Sequence, residues 1–297
     1  MRILITGSKG QLGNELQRAL RTGSTELGVI PEAYRDNQVC AIDIDTVDIT
    51  DMDAIQRVFA EFEPQIVFNC AAYTNVDACE ENQDLCFKAN AIGPRNIAML
   101  CTKYHAKLLH VSTDYVFAGD ANAPYSEWDM PDPLGAYGRS KYLGEQYVRE
   151  FCREYFIMRT AWLYGYDGNN FVKTILRLAR ERGALKVVND QIGTPSNCVD
   201  LVHHMLKVAA TQHYGVYHCT GEGICSWYDF ACKIVEYSGI QATVDPCTTQ
   251  EFPRPAKRPA YSALDNTMLR CTVGDDNRPW QQALKYFIEQ LNRQETL

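Results

Sequence analysis

Strand-length apolar runs alternate with helix-length amphipathic stretches through the first half of the chain. Arg2-Ile3-Leu4-Ile5-Thr6 predicts a strand, and Leu12, Leu16 and Leu20 then recur at helical spacing. Between them stands the turn Gly7-Ser8-Lys9-Gly10-Gln11-Leu12-Gly13. The stretch from Gly23 to Gln38 is polar and loop-like, and Val39-Cys40-Ala41-Ile42-Asp43 predicts a second strand ending in an acid. Thr50 and Asp51 open a helix that runs through Phe62, with Thr50 as the expected cap and Pro64 as the stop. Gln65 to Thr74 predicts a third strand running into a loop of small residues. A helical region from Asn82 to His105 is expected to bend near Gly93-Pro94. Lys107 to Ser112 reads as a buried fourth strand with Thr113 at its end. The next helix carries Tyr137 and Lys141 and is expected to bury Leu143, Tyr147 and Phe151, and Tyr155 to Thr160 is the fifth strand.

Such alternation is the signature of an α/β fold, here a Rossmann-type doubly wound parallel sheet. The pattern loosens after Ala161. Helices are expected over 171–181, 198–210, 227–238 and about 280–292, with short strands near Val187 and over Val216-Tyr217-His218. The expected division is an NAD(P)-binding Rossmann domain over 1–162, to which segments of about 190–220 return. A smaller, mainly C-terminal substrate-binding domain covers 163–297.

Composition changes this picture mainly by exclusion. The 297 residues are 46% hydrophobic and 22% charged, enough to fill a core. A net charge of -8, from 29 basic and 37 acidic residues, argues against nucleic acid or an anionic membrane as partner. No apolar run is long enough to span a bilayer, and the N-terminal run is too short for a signal peptide. The twelve Cys show no Cys-x-x-Cys pair, as expected of free thiols in a reducing cytoplasm. The six His show no metal spacing, since His203 and His204 are adjacent. One loop departs from the acidic background: Arg254-Pro255-Ala256-Lys257-Arg258-Pro259 is basic and stiffened by proline. Arg254, Lys257 or Arg258 can face a phosphate, because guanidinium groups suit phosphate oxygens.

The candidate chemistry lies at strand ends. Strand, glycine turn and helix is the setting of a dinucleotide fingerprint, although the spacing here is Gly-x-x-Gly-x-x-Gly. The acid that ends the second strand, Asp43, is placed to accept bonds from ribose hydroxyls, with Asp45 and Asp48 as competitors. The small residues Ala71 and Ala72, followed by Tyr73 and Thr74, let a flat cofactor approach the backbone. Tyr137 and Lys141 are four residues apart and share a helix face. An ammonium beside a phenol favours the phenolate, so the Tyr137 pKa is expected below its ordinary value near ~10. Such a phenol can exchange a proton with a carbonyl oxygen.

With these residues assembled, the chain resembles the extended short-chain dehydrogenase/reductase superfamily, and within it the dTDP-4-dehydrorhamnose reductase family, over nearly its whole length. The markers are Gly7-x-x-Gly10-Gln11-Leu12-Gly13, Asn69-Cys70-Ala71-Ala72-Tyr73-Thr74-x-Val76-Asp77, Ser112-Thr113-Asp114-Tyr115-Val116-Phe117 and Tyr137-Gly138-Arg139-Ser140-Lys141. Arg159-Thr160-Ala161-Trp162, Asn169-Asn170-Phe171, Asn189-Asp190-Gln191-x-Gly193-x-Pro195 and Arg258-Pro259 complete the set. The resemblance implies that NADPH or NADH delivers hydride to the 4-keto carbon of a dTDP-4-keto sugar, in the supply of rhamnose for cell-surface polysaccharide. It implies that Tyr137 gives the proton, Lys141 assists it and holds the nicotinamide ribose, and Thr113 bonds near the keto oxygen. Asp114, Tyr115 and Trp162 then fall beside the sugar nucleotide, with Arg258 proposed at its diphosphate. Gly7 to Gly13, Asp48, Ile49 and Ala72 to Thr74 fall at cofactor-contacting positions, beside Ala71. Some members dimerise through magnesium held by acidic side chains. Glu15 fits one such ligand, but Val199 stands where a second acid is expected, so no metal is expected, and a monomer or homodimer is.

Two rival functions stay open. A nucleotide-sugar dehydratase or epimerase also needs Tyr and Lys, but a dehydratase carries Asp-Glu after the Thr, and here Tyr115 follows Asp114. A reductase-like regulatory subunit, of the kind that partners methionine adenosyltransferase, does not require the Tyr/Lys pair that is present.

Overall fold

The computed structural model describes residues 1–295. Strands and helices alternate as β1 (Arg2–Thr6), α1 (Gln11–Thr22), β2 (Gln38–Ile42), α2 (Met52–Phe62), β3 (Ile66–Asn69), α3 (Gly93–Tyr104), β4 (Lys107–Thr113), α4 (Ala136–Phe151) and β5 (Tyr155–Thr160). They continue as α5 (Phe171–Arg182), β6 (Ala184–Val188), α6 (Cys198–Ala209), β7 (Gly215–His218), α7 (Trp227–Ser238), β8 (Thr243–Cys247) and α8 (Trp280–Glu295). Shorter turns of helix and two-residue strands lie between them.

Six strands form one parallel sheet in the order β2-β1-β3-β4-β5-β7. The chain leaves β1 for one edge and then crosses to β3 on the other side. The crevice between the carboxyl ends of β1 and β3 is therefore the topological switch point, where ligands of open α/β sheets bind. Register decides how far each strand reaches. Thr6 pairs with Asn69 and Asn69 with His110, so β4 runs three residues further and ends with Thr113 opposite Thr160.

Both faces of the sheet are covered, so its strands read as continuous apolar runs. Ile3, Ile5, Phe68, Leu109 and Met158 pack with α1 and α6 on one face. Leu4, Val67, Leu108 and Ile157 pack with α2, α3 and Val148 of α4 on the other. The segment from Cys198 to His218 returns to this core, with Leu201, Val202 and Met205 of α6 inside it and β7 paired to β5. A second apolar cluster gathers Tyr164, α5, β6, α7 and α8. Beside it β6 and β8 pair as a two-stranded parallel sheet.

Several local expectations need correction. The cap of α2 is Asp51, whose carboxylate accepts from the backbone of Asp53 and Ala54; Thr50 does not cap it. The stretch 23–38 is not plain loop: Ser24–Thr25 pairs with Gly28–Val29, and Ile30 and Tyr34 are buried. The helical region from 82 to 105 contains a π-helical turn, Lys88–Ile92, before Gly93-Pro94. Pro94 has no N–H to give, which suits a break in the ladder there. The buried face of α4 is Tyr137, Lys141, Gly144, Glu145 and Val148, whereas Leu143, Tyr147 and Phe151 are only half-buried. The cause is close approach: a Cβ on Gly144 would lie 2.3 Å from the Asn90 carbonyl oxygen, so a small residue must face inward. Neither β8 nor the short helix Thr267–Thr272 was expected from periodicity.

Candidate active site

The glycine turn sits at the switch point. Gly7 has φ +66°, a left-handed conformation, and a Cβ there would lie 2.6 Å from the Ala71 nitrogen. Only glycine allows the ends of β1 and β3 to close this tightly. Gly10 is the N-cap of α1 and offers no side-chain oxygen, so Gln11, Leu12 and Gly13 open the helix with no side-chain cap. An uncapped helix start presents free N–H groups and the positive end of the dipole, a setting suited to a diphosphate. The cradle therefore fits a dinucleotide on observations of this chain alone.

The remaining cofactor candidates surround it. Asp43 Oδ2 accepts the Lys9 backbone N–H at 2.8 Å, and the Lys9 ammonium pairs with Asp45. An acid and a base thus stand together at the end of β2. Asp48 accepts the Thr50 N–H at 2.8 Å, so it shapes its own turn, and Ile49 is buried under α3. Ala71, Ala72 and Tyr73 are half-buried and Thr74 is exposed. Asn90, which periodicity gave no reason to select, holds this loop. Its amide accepts from Tyr73 N–H at 2.8 Å, donates to Tyr73 C=O at 3.0 Å, and donates to Ser140 Oγ on α4 at 3.1 Å. One side chain thereby ties the loop after β3 to the helix of Tyr137. A polar residue within a helical stretch just before Gly-Pro is the only sequence signal it leaves.

The extra length of β4 carries Thr113 to the same mouth. Thr113 Oγ1 donates to Asp114 Oδ1 at 2.9 Å and accepts the Tyr115 N–H at 3.2 Å, so strand and turn meet at one hydroxyl. That hydroxyl also lies close enough to the Tyr137 phenol to lower its pKa, and the Tyr115 ring stands edge-on to Tyr137 at 5.5 Å. Glu80 fixes the start of α4 by accepting the Ala136 N–H at 2.7 Å. Lys141 donates to the Val111 carbonyl at 2.6 Å and lies near Cys70, at the end of β3, and Glu145. Glu145 in turn receives a fully buried, bidentate Arg159 at 2.8 and 2.7 Å.

The electrostatics correct one expectation. Burial pushes the Tyr137 phenol well above its ordinary value; Thr113 draws it down, while Asp114, Tyr115 and Cys79 raise it further. Lys141 is turned to Val111 and is not among the largest influences on the phenol. Burial also lowers Lys141 to about 8, with Glu145, Cys70 and Cys86 opposing. Desolvation outweighs the pairing that sequence spacing suggested. Tyr137 accordingly holds its proton, which suits a proton donor.

The basic loop arrives at this mouth from the far end of the chain. Arg258 donates to Asp77 Oδ1 at 2.9 Å, the Ala256 N–H reaches the same oxygen at 3.2 Å, and Arg254 lies 3.7 Å from Asp77. Arg258 also acts on Tyr115, so it stands at the edge of the site. Trp162 follows β5 in a left-handed conformation, φ +46°, and stacks on Trp227 of α7 at 3.6 Å. It bridges the sheet's edge to the second core. Elsewhere, Glu15 ion-pairs with Arg18, and Val199 is buried and apolar. Among the described residues no group of three or more His, Cys, Asp or Glu side chains is arranged to hold a metal. Among them, too, no helix is long and apolar enough to cross a membrane.

Comparison with known proteins places this arrangement in a lineage. A solved dTDP-4-dehydrorhamnose reductase from Clostridium acetobutylicum is 48% identical, covers 98% of this chain and 100% of its own, and superposes with a TM-score of 0.93. A Bacillus anthracis dTDP-4-dehydrorhamnose reductase solved with NADP is 43% identical over 97% of this chain and 99% of its own, with a TM-score of 0.90. The dTDP-4-dehydrorhamnose reductase of Aggregatibacter actinomycetemcomitans is 39% identical over 296 residues, 96% of this chain and 97% of that protein. The family described as RmlD substrate binding domain matches residues 1–293, and the chain belongs to that family.

Proposed function

We propose that this protein is an NAD(P)H-dependent oxidoreductase that reduces the 4-keto group of dTDP-4-dehydro-L-rhamnose to give dTDP-L-rhamnose, a precursor of cell-surface polysaccharide. The observation that carries the reading is the meeting of Thr113, Tyr137 and Lys141 at the carboxyl end of β4, beside the glycine cradle of β1. A reduced nicotinamide held by Gly7 to Gly13 and Lys141 would supply the hydride for the carbonyl carbon. Tyr137, still protonated, gives its proton to the carbonyl oxygen, and Thr113 positions that oxygen and stabilises the phenolate left behind. Lys141 offers its ammonium to the nicotinamide ribose and, once the phenol ionises, to the phenolate charge. Gly7 to Gly13 hold the diphosphate of the cofactor, with Ala71 to Thr74 against its nicotinamide half. Asp114, Tyr115, Trp162 and Arg258 line the sugar-nucleotide side.

Residues 1–162, with 198–218, form the cofactor-holding part on this reading, and the second apolar core supports the substrate. Asp43 and Lys9 together accept either cofactor: the carboxylate suits ribose hydroxyls and the ammonium a 2′-phosphate. Lys9→Ala is therefore expected to raise KM for NADPH roughly ten-fold, as loss of an exposed charge-assisted bond would, with KM for NADH little changed. Equal effects on both would remove Lys9 from this role.

The direct experiment incubates the protein with dTDP-4-dehydro-L-rhamnose and either reduced cofactor, follows its oxidation, and identifies the sugar. An epimerase or dehydratase would show no net oxidation, and a regulatory subunit no turnover. The protein is read as cytoplasmic and as a monomer or homodimer, which fractionation and light scattering would check.

A further inference from the structure

Asp114 is 2% exposed, at the turn directly after β4, and its carboxyl is only half satisfied. Oδ1 accepts from Thr113 Oγ1 at 2.9 Å, while Oδ2 is buried with no hydrogen-bond partner. The Ser262 hydroxyl and the backbone N–H groups of Asp114 and Tyr115 are near enough to act on the carboxyl, yet none completes a bond to Oδ2. A buried carboxylate ordinarily gathers donors on both oxygens or pairs with a cation. Here only Oδ1 has a bonded donor. Lys141 is committed to Val111, Arg258 is held on Asp77, and among the described residues no Lys, Arg or His forms an ion pair with Asp114. The groups facing it are the Tyr115 and Tyr137 phenols, with Cys79 of helix Val76–Glu81 and the Asp77–Arg258 pair behind them. A protonated carboxyl suits these surroundings better than an ionised one.

We propose that Asp114 takes up a proton when the anionic nucleotide sugar binds and passes it, through the Thr113 hydroxyl, to Tyr137 after the phenol has protonated the ketone. The inference rests on the reductase reading above. Burial already holds the Asp114 carboxyl up at about 6, against hydrogen bonds that lower it. A diphosphate brought near adds negative charge and removes water, and both effects favour the neutral acid. The step balances within three groups. The Asp114 O–H bond breaks as its proton moves to Thr113 Oγ1, and the Thr113 O–H bond breaks as that proton moves to the phenolate oxygen. Thr113 ends as it began, Tyr137 regains its O–H, and Asp114 is left ionised. Asp114 stays ionised as the product leaves and takes its next proton from the buffer when another nucleotide sugar binds.

The test has two arms. Calorimetric titration of the protein–NADPH complex with dTDP-L-rhamnose near pH 7.5, in buffers of different ionisation enthalpy, counts protons taken up without turnover. Uptake of between half a proton and one proton per site, roughly, is expected for the native chain and none for Asp114→Asn. Stopped-flow measurement then compares the first turnover with later ones. In Asp114→Asn the ratio of first-turnover to steady-state rate is expected to rise roughly ten-fold or more, because the phenol starts protonated but is restored slowly. Thr113→Val keeps the carboxyl and should retain the uptake while showing the same raised ratio, which covers the case in which Asp114→Asn fails to fold. Binding without proton uptake by the native chain, or an unchanged ratio in Thr113→Val, overturns the relay and leaves the reductase reading standing. Failure of the native chain to bind dTDP-L-rhamnose at all overturns the reductase reading itself.

Discussion

The central residue, Tyr137, keeps its proton because desolvation outweighs every stabilising contact on the phenolate. Tyr137→Phe is expected to lower kcat by at least ~10²-fold while leaving the circular dichroism spectrum and cofactor affinity near native. Unaltered turnover would remove the phenol from the mechanism. Lys141 supplies a second prediction, with opposite signs for stability and activity. The folded chain releases the Lys141 proton at about 8, and the unfolded chain does so near the ordinary 10.5. Between these values the unfolded state holds more protons, so stability rises with pH across that window. On the proposed mechanism the ammonium holds the ribose and the phenolate charge, so kcat/KM should fall as pH rises through about 8. A pH–rate profile beside denaturant melts would check both. An alkaline limb that persists unshifted in Lys141→Met would assign it to another group.

At the scale of elements, the site depends on how α4 lies against the π-helical turn that precedes α3. Gly144 permits the contact, and Asn90 converts it into a hydrogen-bonded joint among the loop after β3, the turn itself and Ser140. An amide with four bonds at this junction, the fourth to Cys86 Sγ, holds Tyr73 and Tyr137 in fixed relation. Asn90→Ala is expected to leave the Tyr73 N–H unpaired in a half-buried place and its C=O with only the Cys79 thiol, costing about 1–3 kcal/mol of stability. It should also lower kcat/KM roughly ten-fold or more, since small displacements of reacting groups are costly. Chemical denaturation and steady-state kinetics measure the two effects. A stable variant with native kinetics would show that packing alone positions α4.

Tyr137 packs with Cys79, Cys86 and Ala136, against Tyr73 and Tyr115, in a small apolar cluster of its own. Trp162, directly after β5, stacks on Trp227 within the C-terminal apolar cluster, and the loop 254–258 reaches Asp77. Two arginines and a backbone N–H therefore depend on one carboxylate that is only partly exposed. Asp77→Asn is expected to free the loop, so that trypsin cleaves the Lys257–Arg258 bond several-fold faster, the two arginines being shielded by the prolines that follow them. Bound nucleotide sugar should restore protection if the arginines meet its diphosphate. Cleavage at the native rate would mean that other contacts hold the loop.

Much of this was legible in the chain read alone. Periodicity and glycine placement determine the five strands of the first half, the cradle after β1 and the helix of Tyr137 and Lys141, because those signals are local and repeat over several residues. Residue chemistry at a strand end brings Thr113 into view for the same reason, whereas Asp114 entered only through the family resemblance. What only the tertiary structure decided depends on distance in sequence and on burial. The inward face of α4 is set by the Asn90 carbonyl, 54 positions before Gly144, and not by its apolar residues. The partner of Arg258 is Asp77, 181 positions away. Above all, the sequence placed an ammonium one helical turn from a phenol and so implied an acidic tyrosine. The folded chain turns that ammonium to Val111 and removes water from both groups, and desolvation, which no spacing encodes, reverses the sign.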